Sequence, residues 1–299
     1  MDKIGNPGDS GQITRAYFDS LLLESRHIDS ALPSIEFKLF GETFATPVMT
    51  AALSHLNKTH PEGMAELARG AAAANAVMWA GMGDEAELDA IVQTGAKAVK
   101  IIKPYADESL VIKKLEHAER CGAFAVGMDL DHAFSRKGGY DSVFGLEMRP
   151  RTIDQIRGYV RSTKLPFIIK GVLSAQDAQK CLAAGVSGIV VSHHHGIMDY
   201  AVPPLQVLPE IVDVIGGQIP IFVDCNVERG MDVFKALALG ASAVSVGRAL
   251  MGPLGAEGAE GVKKAIEAIN AELIFAMAMT CSPDITSIDP SVIWHRKDQ

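Results

Sequence analysis

Six short apolar runs in this sequence end directly in residues that can carry charge, exchange a proton or meet a phosphate. Lys170 closes PFIIK, where an ammonium at the end of a buried run is costly unless an anion meets it. That anion is either a carboxylate such as Asp129 or a ligand that develops negative charge, and the spacing leaves both open. GIVVS ends in Ser192 and continues into His193, His194 and His195. Three consecutive residues leaving a strand point in different directions, and no acid stands at a supporting spacing, so no metal site is expected there. One proton-transferring histidine with two bystanders is the reading preferred over a metal; three functionless loop histidines is the other. AVGMDL runs into Asp129, Asp131 and His132, and AVKII into Lys103, which either anchors an anionic substrate or pairs with Asp129 or Asp131. The last two runs end in DCNVERG and SVGRA, offering Asp224, Asn226, Gly247 and Arg248. Backbone N–H groups at a helix start together with an arginine make a phosphate site.

Residues so scattered act together only if one fold brings the run ends to a common face. The apolar runs begin at Pro47, Ala76, Ala98, Ala125, Pro166, Gly188, Ile219 and Ala243, eight in all, and amphipathic helical stretches separate them. Strands buried on both faces and alternating with helices are parallel. Gly95, Gly122, Gly185 and Gly240 stand where helix ends want a left-handed residue, and the endings GAKAVKI, GAFAVGM, GVSGIVV and GASAVSV repeat one βα unit. The expectation is an α/β protein, a (β/α)₈ TIM barrel with its core at about 45–255, preceded by an N-terminal extension and followed by a helix from Gly258 to about Thr280, all in one domain, 1–299. An open doubly wound sheet would also fit eight strands, but its G-x-G-x-x-G opening is missing. In a barrel the loops at the C-terminal strand ends build the site, which is where every residue named above falls. The polar, Gly-rich loop from Asp131 to Arg151 is either a lid or plain surface.

The formal net charge of -8 and the lack of a Lys/Arg run argue against nucleic acid and for a small-molecule substrate. MDKIGNPGDSGQ has no apolar stretch resembling a signal peptide, and no window approaches a membrane span, so a cytoplasmic protein is expected. Cys121, Cys181, Cys225 and Cys281 show neither zinc nor disulfide spacing.

The stretch from Pro166 to about Val262, with SGIVVSHHHG, PIFVD, RGMDVFKALALGASAVSVGRAL and GAEGV, resembles the C-terminal half of the FMN-dependent α-hydroxy-acid oxidases and dehydrogenases, glycolate and lactate oxidases among them. PVMTAALSHLNKTHPEG resembles the family's first strand and loop. The resemblance implies an FMN-dependent oxidoreductase acting on a CH–OH group, and a homo-oligomer, tetramer or octamer. It implies that Lys170 meets the flavin N1/O2 edge and that Ser192, Ala51 and Ala52 lie against the cofactor. Asp224, Asn226, Gly247 and Arg248 would hold ribityl and phosphate, and His194 would be the base. Lys103 and Asp131 are left as substrate contacts. The family's S-N-H-G-x-R has Ile197 in place of its carboxylate-clamping arginine, and D-G-G-x-R reads Asp224, Cys225, Asn226, Val227, Glu228. The substrate pocket is therefore expected to be altered. The alternatives are an FMN-dependent isomerase resembling the type 2 isopentenyl diphosphate isomerases, whose Gly-rich, tryptophan-bearing loop is absent, and a non-catalytic barrel binding a phospho-ligand, which Glu228 favours.

Overall fold

In the computed structural model, which describes residues 8–294, eight parallel strands form one sheet. They are β1 (Val48–Thr50), β2 (Met78–Ala80), β3 (Ala98–Ile102), β4 (Ala125–Asp129), β5 (Phe167–Val172), β6 (Gly188–Val191), β7 (Ile221–Val223) and β8 (Ala243–Val246). Each lies within the expected run or within two residues of it. Their order is β1-β8-β7-β6-β5-β4-β3-β2, with β1 returning to β2 through a Leu53–Ala80 bridge and through the Trp79 N–H, which donates to Thr50 Oγ1 at 2.8 Å. That return contact closes the sheet into a barrel. An open sheet would leave β1 and β2 as bare edges. The reading of the first residues as leaderless falls mostly on 1–7, outside the described residues.

Strand alternation sorts the apolar side chains into two cores. Met49, Trp79, Val99, Ile101, Ala125, Ile168, Val190, Phe222 and Ala243 point inward and fill the barrel. Phe37, Leu39 and Phe44, from the hairpin Phe37–Leu39/Glu42–Phe44, join that cluster before the first strand and close the N-terminal mouth. The opposite mouth is left to polar side chains. The second core, between strands and helices, includes Leu67, Leu88, Leu115, Ile211 and Val233.

Helices start and stop where local chemistry requires. Asp84, Asp107 and Ser174 cap α3 (Glu85–Gln93), α4 (Glu108–Cys121) and α6 (Ala175–Ala184), and Thr152 with Gln155 forms a capping box on α5 (Ile153–Ser162). Gly122 and Gly185 end α4 and α6 in the left-handed conformation. The remaining layer is α2 (Gly63–Ala73), α7 (Pro204–Ile215) and α8 (Gly230–Ala238). The final helix, α9 (Arg248–Ala278), starts at β8 and breaks at Gly258, so the expected C-terminal helix is its second half. Among the described residues no helix is long and apolar enough to cross a membrane.

Two segments outside the barrel lean over the polar mouth. α1 (Ser10–Ser20) is tied to the β6 loop by Thr14 Oγ1, 2.6 Å from His193 Nε2, and to α8 by an Arg15–Asp232 ion pair at 2.9 Å. The loop after β4 folds into a small hairpin, Ser142–Val143 against Leu146–Glu147. From its base Arg136 donates to the Ile197 carbonyl at 2.9 Å and to that of Gly196. The loop thus bridges two strand ends and is no plain surface turn.

Candidate active site

β3 to β7 deliver a compact group of charges to the C-terminal mouth. Lys170 leaves β5 just before Gly171, where the pairing with β6 slips between Lys170 and Val172. Gly171 has φ +92°, and a Cβ there would lie 2.7 Å from the Asp131 carboxyl carbon. No other residue fits this position, and its absence of side chain lets Asp131 approach the strand. The Lys170 ammonium is 3.2 Å from Asp224 Oδ2 and 3.5 Å from Asp129 Oδ1, and it donates to Ser192 Oγ at 3.0 Å. Burial alone would push its pKa down, but Asp224 and Asp129 outweigh burial and hold it above the ordinary lysine value. Burial likewise favours the neutral acids, yet it is outweighed by Lys170 with the Cys225 and Ser192 hydrogen bonds at Asp224, and by Lys170 with Lys103 and His194 at Asp129: Asp224 lies below, and Asp129 well below, the usual carboxylate range.

Lys103, expected either as an anion anchor for the substrate or as the partner of Asp129 or Asp131, stands in the second arrangement. Its ammonium sits 2.6 Å from Asp129 Oδ2 and is buried, so its charge is already matched. The strand-end ion pair is the form it takes. Asp131, expected at the substrate, presents Oδ1 to His194 Nδ1 at 3.0 Å, while its other oxygen is buried without a hydrogen-bond partner among the described residues.

The three adjacent histidines separate as their strand exit demands. His193 accepts from the Gly196 N–H on Nδ1 at 2.9 Å, so its Nε2 carries the proton and faces Thr14; burial first of all pushes its pKa down. It is a fastening between β6 and α1. His195 lines a different cavity, and burial, reinforced by Arg248, brings it to about 4, so it is neutral. His194 alone faces the charge cluster, with Nδ1 3.4 Å from Asp129 Oδ1 as well as 3.0 Å from Asp131. Burial opposes its protonation, but these two carboxylates win and its pKa is raised. An imidazole whose Nδ1–H is committed to carboxylates presents Nε2 for proton transfer. His194, His195 and Gly196 are all left-handed, at φ 49°, 56° and 78°, a strained turn of the kind found at functional sites.

Two partners escaped the sequence reading. His132, visible in the D-L-D-H string but given no role, places Nε2 3.1 Å from His194 Nε2. Asp141, just before the small hairpin, lies 3.2 Å from His132 Nδ1. The only signal was a histidine directly after two strand-end acids.

A cavity of about 380 Å³ opens beside this group, lined by Ala51, His195, Asp224, Asn226, Gly247 and Arg248 among others. A volume of this size suits a small-molecule or cofactor group. Gly247 sits so close to Ala51 that a Cβ would meet Ala51 Cβ at 3.2 Å, and α9 begins at Arg248 beside it. Cys225 and Asn226 hold φ 73° and 56°, left-handed values usual for glycine, and Asn226 Oδ1 is buried without a hydrogen-bond partner among the described residues. Glu228 lines the same cavity. Arg229 does not offset that acid, because it turns away to pair with Glu272. Ala52 lies at the edge of the barrel core, one residue beyond the cavity-lining Ala51. A second cavity of about 590 Å³, reaching Asp131 and His193, is lined by Phe134, Leu173, Ile197 and Met198 with Arg136.

A family profile described as FMN-dependent dehydrogenase matches residues 6–156 and 138–295. Among curated proteins, a peroxisomal (S)-2-hydroxyacid oxidase of Arabidopsis thaliana is 31% identical over 295 residues, covering 87% of this chain and 81% of the relative. The glycolate oxidase of Spinacia oleracea is 29% identical over 310 residues, covering 91% of this chain and 82% of the relative. Among solved structures, a mandelate oxidase variant with (S)-mandelic acid superposes with a TM-score of 0.86 at 28% identity, covering 95% of this chain and 89% of that one.

Proposed function

The chain belongs to the FMN-dependent dehydrogenase family, and from that premise we propose that it oxidises the CH–OH carbon of an α-hydroxy acid with His194 as the base. The observation that carries the reading is His194, backed by Asp129 and Asp131 in the charge cluster of Lys170, whose partner Asp224 lines the cavity that Arg248 also lines. The residues present fit FMN. Arg248, the start of α9 and the left-handed Cys225–Asn226 turn would take the phosphate and ribityl chain, while Ala51, Lys170 and Ser192 would border the ring. When bound, FMN supplies a two-electron acceptor.

What this chain's own residues do follows from their contacts. Asp131 and Asp129 hold the His194 Nδ1–H and stabilise the imidazolium that forms when Nε2 takes a proton. Lys170, fixed by Asp224, Asp129 and Ser192, places a permanent positive charge where the cofactor would gain electrons. Substrate positioning differs from the arginine clamp of the resembled motif. Ile197, Leu173, Phe134 and Met198 favour an apolar side chain on the hydroxy acid, with Arg136 as the cation at the rim. Anaerobic flavin reduction by a panel of hydroxy acids tests this: reduction by members with bulky apolar side chains supports it, and reduction by none rejects it.

The same reading treats the whole chain as one functional unit. It places the protein in the cytoplasm, supported by four unpaired cysteines, although the named relative of Arabidopsis thaliana is peroxisomal. Self-association is supported by exposed Phe144 and Tyr200 at the polar mouth; imaging and light scattering test these two points.

A further inference from the structure

The two imidazoles His132 and His194 meet in an arrangement that a single general base does not need. Each commits its Nδ1 to a carboxylate: His194 to Asp131 at 3.0 Å and Asp129 at 3.4 Å, His132 to Asp141 at 3.2 Å. Asp141 is itself held by the Ser142 N–H on its other oxygen at 2.9 Å. Ionised carboxylates accept only, so both Nδ1 atoms carry hydrogen and both Nε2 atoms carry lone pairs when the rings are neutral. The two Nε2 atoms lie 3.1 Å apart, with the ring planes at 81° and the ring centroids 4.2 Å apart. Two unprotonated ring nitrogens at that distance repel. One added proton converts the repulsion into an N–H···N hydrogen bond.

We propose that His132 and His194 act as one base, the proton leaving the substrate hydroxyl entering the gap between their Nε2 atoms and being held by both rings. The proposal rests on the hydroxy-acid reading above. In the step, the substrate O–H bond breaks and an N–H bond forms on His194, hydrogen-bonded to His132. The Cα hydrogen leaves with its bonding electron pair as a hydride, for which bound FMN would be the acceptor, so the substrate loses two electrons and becomes a keto acid. The pair gains one positive charge, set against Asp129, Asp131 and Asp141. The other charges facing it are Lys103 and Lys170, both paired to Asp129, together with Asp224 behind Lys170; His195 is neutral. Burial and Lys103 lower the pKa of His132, while the carboxylates raise that of His194 against burial, as expected when one proton resides mainly on His194. Interacting groups of this kind titrate as a pair.

A paired base has a higher proton affinity than His194 alone. The decisive experiment is anaerobic stopped-flow flavin reduction by the holoenzyme across pH, in the native protein, His132→Phe and His132→Gln. Reduction falls as pH drops through the pKa of the pair. In both variants the midpoint of that acid limb should move down by about one pH unit, and the plateau rate should fall about tenfold, part of the 10²- to 10⁴-fold worth of a general base. A merely structural role would lower the rate and leave the midpoint in place, and an unmoved midpoint in both variants overturns the proposal. Titration of ¹⁵N-histidine holoenzyme by NMR needs no substrate. One shared protonation step, replaced in His132→Gln by a lower His194 midpoint, supports the pair even if no hydroxy acid reduces the flavin; independent titration of the rings overturns it. An equimolar transition metal in the purified holoenzyme, lost in His132→Gln, would also overturn it in favour of a bound cation.

Discussion

Replacing Lys170 by methionine isolates the electrostatics of the barrel mouth, because the stem of the side chain is kept and only the charge is removed. The ammonium is buried and touches Asp224 at 3.2 Å, Asp129 at 3.5 Å and Ser192 at 3.0 Å. Asp129 keeps Lys103 at 2.6 Å, so it stays compensated. Asp224 keeps no cation in contact, only hydrogen bonds from the Cys225 thiol, at 3.0 Å, and from the Ser192 hydroxyl. Removing one partner of a buried ion pair typically costs about 3–5 kcal/mol, chiefly from the charge left behind. The sign against pH follows from Asp224. In the native protein its folded pKa is depressed, so its contribution is present above the unfolded value and lost as pH falls through the folded one. In Lys170→Met burial is opposed by far less, and protonation of Asp224 relieves the penalty. The stability deficit should therefore be largest at neutral pH and shrink as pH falls below about 5. Urea unfolding of FMN-stripped native and variant proteins at two pH values measures it, and Lys170→Met/Asp224→Asn should recover at least half the loss. A neutral-pH deficit under about 1 kcal/mol, or one that grows on acidification, would refute the assignment of Asp224 as the uncompensated charge.

Three further outcomes are expected. His194→Ala should retain the flavin spectrum and lose flavin reduction by roughly 10²- to 10⁴-fold, whereas His195→Ala should be far milder; stopped-flow absorbance distinguishes them. Glycolate and L-lactate should reduce the flavin poorly, since Ile197 stands where the resembled motif has an arginine and Lys103 is spent on Asp129, and steady-state kcat/KM against bulkier hydroxy acids checks this. Arg248→Ala should weaken FMN binding about 10- to 100-fold, the worth of a charge-assisted hydrogen bond, while Arg229→Ala, already paired with Glu272, should leave the Kd unchanged in fluorescence titration.

The sequence by itself determined the architecture and the positions available for chemistry. Eight apolar runs separated by capped helices admit few arrangements, because each strand must be buried on both faces and each glycine stop is a local backbone requirement. Lys170, His194, Asp224 and Arg248 were legible for the same reason: strand ends are set by periodicity, and barrel geometry sends strand ends to one mouth. Partnership was decided only by the tertiary structure. Whether Lys103 faced a substrate or Asp129 depended on the register of β3 against β4, which sets their distance and leaves no trace in the spacing. The contact of His193 with Thr14 spans 179 positions, and that of His132 with His194 spans 62. Asp141 reaches His132 because the intervening loop turns back on itself through a Phe134–Tyr140 bridge, a path its polar composition does not specify. Periodicity and capping are short-range constraints within a chain segment, whereas the protonation and pairing of these groups depend on which distant segments pack within about 3 Å of one another.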